Sequence, residues 1–203
     1  CHDNGHACLP TDRRYIAHEF NDEGYETAYI GKWHLAAKRT HDGQRRYAVP
    51  EECRAGYKDH WLASDVLEFT SHGYEGHMFD KDNRRVDFEG YRVDCTANFV
   101  MDYLRDYAGR KSDKPFFLMT SFIEPHHQND LDRYVGPIGS KQRFANYTVP
   151  GDLVGTTPQP GARCDWPLHM PDYLGCCLSL DQNVGRIRAQ LEVLGLADNT
   201  VVI

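Results

Sequence analysis

The sequence has no long hydrophobic run, no excess of basic residues and no repeat of fixed period. No stretch approaches the roughly 18 consecutive apolar residues that a membrane-spanning helix needs, which argues against a membrane span. Lys and Arg number 23 against 30 Asp and Glu, and the net charge of −7 offers no positive field to a nucleic acid. The 203 residues do allow one large domain, or part of one, with a continuous hydrophobic core.

Cysteine is moderately abundant, with seven residues in the chain. An odd number fits either reduced thiols or a few disulfides with at least one cysteine left over. Four soft metal ligands lie near the start of the sequence, namely Cys1, His2, His6 and Cys8. They leave open a zinc-binding module, although their spacing is unlike the common zinc patterns.

Hydrophobic periodicity divides the chain into alternating helices and strands. Apolar residues recur at three- and four-residue steps in three segments, which predicts helices over 11–23, 91–107 and 171–194. Continuous apolar runs predict buried strands over 26–31, 116–123 and 200–203. The two remaining long stretches, 36–90 and 128–170, show no sustained period and are predicted to be mainly irregular. The first is expected to carry specificity, and the second to be a functional loop or an excursion around a site.

The alternation of three helices with three strands predicts an α/β fold. Its sheet should be mainly parallel and covered by helices on both faces, in a three-layer α/β/α arrangement. Binding sites in such sheets lie beyond the carboxyl ends of the strands. Two polar clusters, Gly31–His34 and Pro125–His127, follow predicted strands directly. Taken alone, the first fits a solvated loop and the second a capped turn, but their shared position makes this edge the predicted site.

The first cluster contains a lysine and a histidine two residues apart. Lys32 supplies a fixed positive charge, and His34 supplies an imidazole that titrates near neutral pH. Because both emerge from a buried strand, they suit the binding of a tetrahedral oxyanion. Two more imidazoles, His126 and His127, follow the second strand.

Residues 24–35 read Gly-Tyr-Glu-Thr-Ala-Tyr-Ile-Gly-Lys-Trp-His-Leu. They resemble the Gly-Tyr-x-Thr-x-x-x-Gly-Lys-Trp-His-Leu signature of formylglycine-dependent (type I) sulfatases. Pro115–His126 is similar to a strand of that family that ends in a Pro-His pair, and Leu180–Val202 is similar to its following helix and turn. The resemblance implies an alkaline-phosphatase-like fold. It also implies that residues 1–203 are a partial sulfatase catalytic domain, incomplete at both ends, with 36–90 and 128–170 as inserts.

The resemblance also implies roles for individual residues. Lys32 would contact the sulfate and the catalytic aldehyde hydrate, and His34 would be the base that helps to expel sulfate. His126 would bind the ester and assist the leaving oxygen. The substrate would be a sulfate ester of a small molecule or a glycan, and sulfated carbohydrate is the commonest substrate class of the family.

The residues after His126 are candidates for contact with the alcohol part of the substrate, namely His127, Asn129 and Asp130. A polar loop is the alternative interpretation of this segment. Aromatic residues interleaved with histidines suggest a second candidate region, a sugar-binding pocket. Its lining would be drawn from His60, Trp61, Phe69, His72, Tyr74, His77 and Phe79.

The nucleophile and metal ligands of the family do not occur in these residues. The nucleophile is formed in Cys-x-Pro-Ser-Arg or a close variant, whereas Cys8 is followed by Leu-Pro-Thr-Asp-Arg, with an extra residue before Arg13. We therefore expect formylglycine, made from Cys or Ser, upstream of residue 1. The Ca²⁺ ligands are expected outside the chain, with no metal ligand within it, and the residues alone are predicted to lack turnover.

Family resemblance suggests a periplasmic, secreted or lysosomal location, among which the sequence does not choose. The motifs also leave the reaction open at one point, because phosphodiester and phosphonate hydrolases share the scaffold. An inactive homologue that only binds its ligand would carry the same signature. The main prediction is a sulfuric ester hydrolase that acts on a carbohydrate sulfate.

Overall fold

The computed structural model describes residues 8–36, 46–128, 131–154 and 166–203. It contains a five-stranded sheet in the order β4-β3-β2-β1-β5. The strands are β1 (Glu26–Lys32), β2 (His60–Ser64), β3 (Glu75–Asp80), β4 (Arg85–Glu89) and β5 (Phe116–Ser121). The central strand β1 pairs in parallel with both β2 and β5, whereas β3 and β4 add an antiparallel hairpin beside β2.

Five α-helices accompany the sheet in the described residues: α1 (Ile16–Asp22), α2 (Leu67–Thr70), α3 (Arg92–Arg110), α4 (Ser140–Arg143) and α5 (Trp166–Val193). Short 3₁₀ helices span Glu51–Cys53 and Ala197–Asn199. None of the helices in the described part of the chain is long and apolar enough to cross a membrane.

The central strand β1 is buried because helices cover both faces of the sheet. Ala28 and Ile30 belong to one core cluster, which includes residues of α3 and α5. Tyr29 points to the opposite face and joins a second cluster with Ala17 of α1 and Trp61 of β2. This alternation follows from the two-residue period of a strand. It confirms the predicted α/β fold, with a sheet that is mixed rather than mainly parallel at its β3–β4 side.

Several predicted boundaries were wrong. The first helix begins at Ile16 after Tyr15, and Thr11 lies in an exposed turn instead of capping it. The segment 36–90 holds three strands and α2, because short strands leave too few residues for a period to be recognised. The last helix begins at Trp166, so that Pro171 lies within it. Residues 200–203 form no strand, since they pair with no other strand among the described residues and end exposed.

Gly31, the second glycine of the signature, is required by the packing of β1 against β5. Its φ of +118° is a conformation that residues with a Cβ rarely adopt, and an ideal Cβ there would lie 2.1 Å from the carbonyl oxygen of Ser121. The neighbouring atom is backbone and cannot turn away. The glycine therefore allows the strand to reach Lys32 without separating from β5.

Replacing Gly31 with alanine should destabilise the protein by about 1–3 kcal/mol, because the added methyl group must displace backbone. The measurement is the thermal unfolding midpoint of the full-length protein that carries this sequence. Gly185→Ala is the matched control, since Gly185 is exposed in α5 with nothing within 4 Å of its ideal Cβ. That change should stabilise slightly through helix propensity, and equal effects of the two substitutions would contradict the packing argument.

Candidate active site

The ends of the two parallel strands β1 and β5 meet at a buried carboxylate. Lys32 ends β1, His126 lies in the turn after β5, and Glu68 belongs to the short helix α2 that follows β2. The Lys32 Nζ donates a hydrogen bond to Glu68 Oε1 at 2.6 Å. The Nδ1 of His126 lies 3.8 Å from the same oxygen. The structure thus brings Lys32 and His126 together, as the strand-end argument predicts.

The Glu68 side chain is almost fully buried, at 2% exposure, and the Lys32 side chain is 12% exposed. Burial alone raises the pKa of Glu68, but the hydrogen bond and charge of Lys32 outweigh it with help from His126, so that the pKa lies below its ordinary value. Glu68 is therefore an anion at neutral pH. The Lys32–Glu68 pair stabilises the folded protein at pH values above the ordinary pKa of glutamate. This contribution is lost as the pH falls through the lowered pKa of Glu68.

The orientation of the His126 ring is set at one of its two nitrogens. Its Nδ1 lies 2.5 Å from the carbonyl oxygen of His127 and faces the Glu68 carboxylate at longer range. Both neighbouring atoms are acceptors, so Nδ1 carries a proton. The other nitrogen, Nε2, is left to act on a ligand.

The remaining signature residues run past the end of β1 alongside β2. The backbone N–H of Trp33 donates to the Ser64 carbonyl at 2.9 Å, and that of His34 donates to the Asp65 carbonyl at 2.5 Å. His34 has a φ of +57°, so that the chain turns at this residue, and its side chain is half-buried. The Trp33 ring packs edge-on against Tyr29 at 4.9 Å, which fits a packing role.

The histidine after His126 lies among aromatic rings. The His127 ring centroid is 5.3 Å from that of Tyr134 and 6.1 Å from that of His169. Its Nε2 lies 3.7 Å from Asp132 Oδ1. The other two predicted contacts to the alcohol, Asn129 and Asp130, lie outside the described residues.

A buried ion pair beneath His126 escaped the sequence analysis. Arg92, at the start of α3, donates to Glu124 Oε1 through Nε at 2.9 Å and Nη2 at 2.8 Å. Its Nη1 donates to Ser71 Oγ at 2.9 Å and to Gln128 Oε1 at 3.2 Å. Arg92 and Glu124 are nearly inaccessible, at 2% and 3% side-chain exposure. Because Glu124 and Gln128 flank His126, this network fixes the turn that presents the imidazole.

The predicted aromatic sugar pocket is wrong for its first residues. Trp61 is 1% exposed and packs on Tyr29 and Trp33 within the core. The His60 ring lies against Tyr103, and burial lowers its pKa. Both residues stabilise the sheet because β2 is an internal strand, which the sequence did not reveal.

The described residues do not fit a calcium site. Within 8–36, 46–128, 131–154 and 166–203, no three or more His, Cys, Asp or Glu side chains are grouped to hold a metal ion. Glu68 is bound to Lys32, and Asp65 Oδ1 accepts from the Ala36 amide at 2.9 Å.

Cys8, one of the candidate zinc ligands, is a half-buried free cysteine that forms a β-bridge with Ala36. The other candidate zinc ligands, at positions 1, 2 and 6, lie outside the described residues.

Comparisons with known proteins agree on one family. A family model described as Sulfatase matches residues 2–203. The ulvan-active sulfatase of Formosa agariphila is 33% identical over 202 residues, covering 96% of this chain and 35% of that protein. The structure of the Bacteroides fragilis sulfatase yidJ has a TM-score of 0.75 at 23% identity, covering 95% of this chain and 43% of that one. A structure with its substrate D-glucosamine-2-N,6-O-disulfate has a TM-score of 0.59 at 17% identity, covering 96% and 49%.

These matches define the class of the fold as α/β and alkaline-phosphatase-like. The chain belongs to the sulfatase family. It spans about a third of the length of the curated relatives that it matches.

Proposed function

We propose that the full-length protein that carries this sequence hydrolyses a sulfate ester of a carbohydrate. The observation that carries the proposal is the meeting of Lys32 and His126 at one buried carboxylate, in a chain of the sulfatase family. The carbohydrate class is supported by two similar proteins, one named as active on ulvan and the other bound to a sulfated glucosamine.

Lys32 is proposed to bind the sulfate group. Its ammonium has three N–H donors and uses one for Glu68, which leaves two for the non-bridging oxygens of the ester. A fixed positive charge in a largely buried position stabilises negative charge on those oxygens more strongly than it would in water.

His126 is proposed to act at the bridging oxygen. With Nδ1–H directed at the His127 carbonyl, Nε2 carries a proton only in the imidazolium form of the ring, and it is this form that donates the Nε2 proton to the bridging oxygen as the S–O bond breaks. The alcohol then departs neutral instead of as an alkoxide. His34 is proposed as the base for sulfate release, and His127, Asn129 and Asp130 as contacts to the alcohol.

The proposal also includes the formylglycine and Ca²⁺ of the family, both expected outside these residues. The aldehyde hydrate supplies a nucleophilic oxygen, and the cation supplies further charge stabilisation. A periplasmic, secreted or lysosomal location remains a prediction from family resemblance.

The test compares sulfate and phosphate esters of the same sugar, and of the same phenol, as substrates of the full-length protein. We expect kcat/KM to favour the sulfate ester in both pairs. A Lys32→Ala preparation made in parallel should lose the activity, which excludes a contaminating host enzyme. Preference for the phosphate ester would establish the phosphodiester or phosphonate alternative. No hydrolysis of either ester, with sulfate still bound, would establish the inactive homologue.

A further inference from the structure

The proposed sulfate site contains a negative charge that sulfate binding does not require. Glu68 Oε1 occupies a hydrogen-bonding direction of the Lys32 ammonium and faces Nδ1 of His126. A carboxylate in this position repels a sulfate dianion and competes with it for Lys32. An anion site built only for affinity would lack such a group.

The Glu68 carboxylate is buried and held in place beside Lys32. Its side chain is 2% exposed, so solvent screens its charge little. Its other oxygen, Oε2, is buried and accepts no hydrogen bond from the described residues, which concentrates its polar contacts on the Lys32 side. The main chain of the same residue is held as well, since the Glu68 carbonyl accepts from Gln128 Nε2 at 3.4 Å.

Resting on the proposed function, we propose that Glu68 is a positioning residue that holds the Lys32 ammonium in place and keeps the affinity for free sulfate low. The reaction consumes an ester that has one negative charge on its sulfate group, and it releases the alcohol and a sulfate dianion. A fixed negative charge discriminates against the product more strongly than against the ester, because the repulsion scales with charge. Glu68 therefore favours release of sulfate after each turnover.

The test is the affinity of the full-length protein for inorganic sulfate, measured by titration calorimetry and as product inhibition. Glu68→Gln removes the charge and retains the shape. We expect sulfate to bind at least about fivefold more tightly, because a unit charge near 4 Å contributes that factor even at the dielectric constant of water. We also expect kcat to fall, as Lys32 is held less firmly and sulfate leaves more slowly. Structural damage alone would weaken sulfate binding, so the direction of the change is diagnostic.

Glu26→Gln is the matched control. Glu26 is also a buried carboxylate on an ion pair, with Arg110, but it begins β1, about 20 Å of strand away from Lys32. Loss of the Glu26 charge should leave the affinity for sulfate within twofold of the wild-type value. If Glu68→Gln fails to fold because its amide is buried near the former position of Oε2, Glu68→Met takes its place, and we expect the same tighter binding of sulfate. Unchanged or weaker sulfate binding in a folded neutral variant overturns the role of Glu68. The absence of ester hydrolysis by the wild-type protein overturns the proposed function separately.

Discussion

Replacing His126 with alanine should lower kcat for a sugar sulfate by about 10²–10⁴-fold, the usual contribution of a positioned proton donor. The loss should be far smaller for a sulfate ester of an acidic phenol, because that leaving group departs without a proton. The measurement is kcat for a series of esters of increasing leaving-group acidity, with the full-length protein. The expected result is a steeper dependence on leaving-group acidity in the variant.

The neighbouring histidine supplies the control for this prediction. His127→Ala removes an imidazole that contacts Tyr134 and Asp132. Among the described residues, this imidazole does not contact Glu68. We expect it to change KM for the sugar sulfate and to leave the leaving-group dependence as in the wild type. An equal loss on sugar and phenyl esters in His126→Ala would show that His126 does not act at the leaving oxygen.

Replacing Arg92 with alanine should destabilise the protein by about 3–5 kcal/mol, because it leaves the Glu124 carboxylate buried without its counterion. One Glu124 oxygen already lacks a hydrogen bond among the described residues, so the carboxylate has no alternative donor there. The free energy of unfolding follows from urea denaturation. Activity should fall as well in the part that remains folded, since Glu124 begins the turn that presents His126.

Arg105→Ala is the matched control on the same helix. Arg105 pairs with Asp102 at the surface, at 48% and 62% side-chain exposure, and such pairs contribute under about 1 kcal/mol. A double variant, Arg92→Met with Glu124→Leu, removes both charges and should be more stable than Arg92→Ala. If Arg92→Ala cost no more than Arg105→Ala, the buried network would not hold the turn.

The elements nearest to the site were predictable because their signals are local. Glu26–Gly31 and Phe116–Ser121 are short, mostly apolar runs, and runs of this length predict strands of a parallel sheet. Lys32 and His126 follow these runs, so the geometry of a parallel sheet already places them at one edge. The family resemblance added roles to the residues but was not needed to bring them together.

The remaining part of the site depends on contacts that no local pattern carries. Glu68 lies 36 residues from Lys32 along the chain, in a helix of four residues that is too short for a periodic signal. Arg92 looks like any charged residue at a helix start, and only the fold buries it against Glu124. The strand β2 was missed because its five residues, His-Trp-Leu-Ala-Ser, are too few for a continuous apolar run or an alternating pattern to be recognised.

The pairing of β1 with β5 has a consequence for how the molecule acquires its site. The register joins Glu26 to Phe116 and Gly31 to Ser121, about 90 residues apart in sequence. Contacts of such high sequence separation are entropically costly and form slowly. A nascent chain therefore displays the complete Lys-Trp-His motif well before β5 and His126 exist, and the anion pocket forms only when β5 pairs with β1. Conditions that slow this pairing should lower the yield of active molecules more than the stability of those that form.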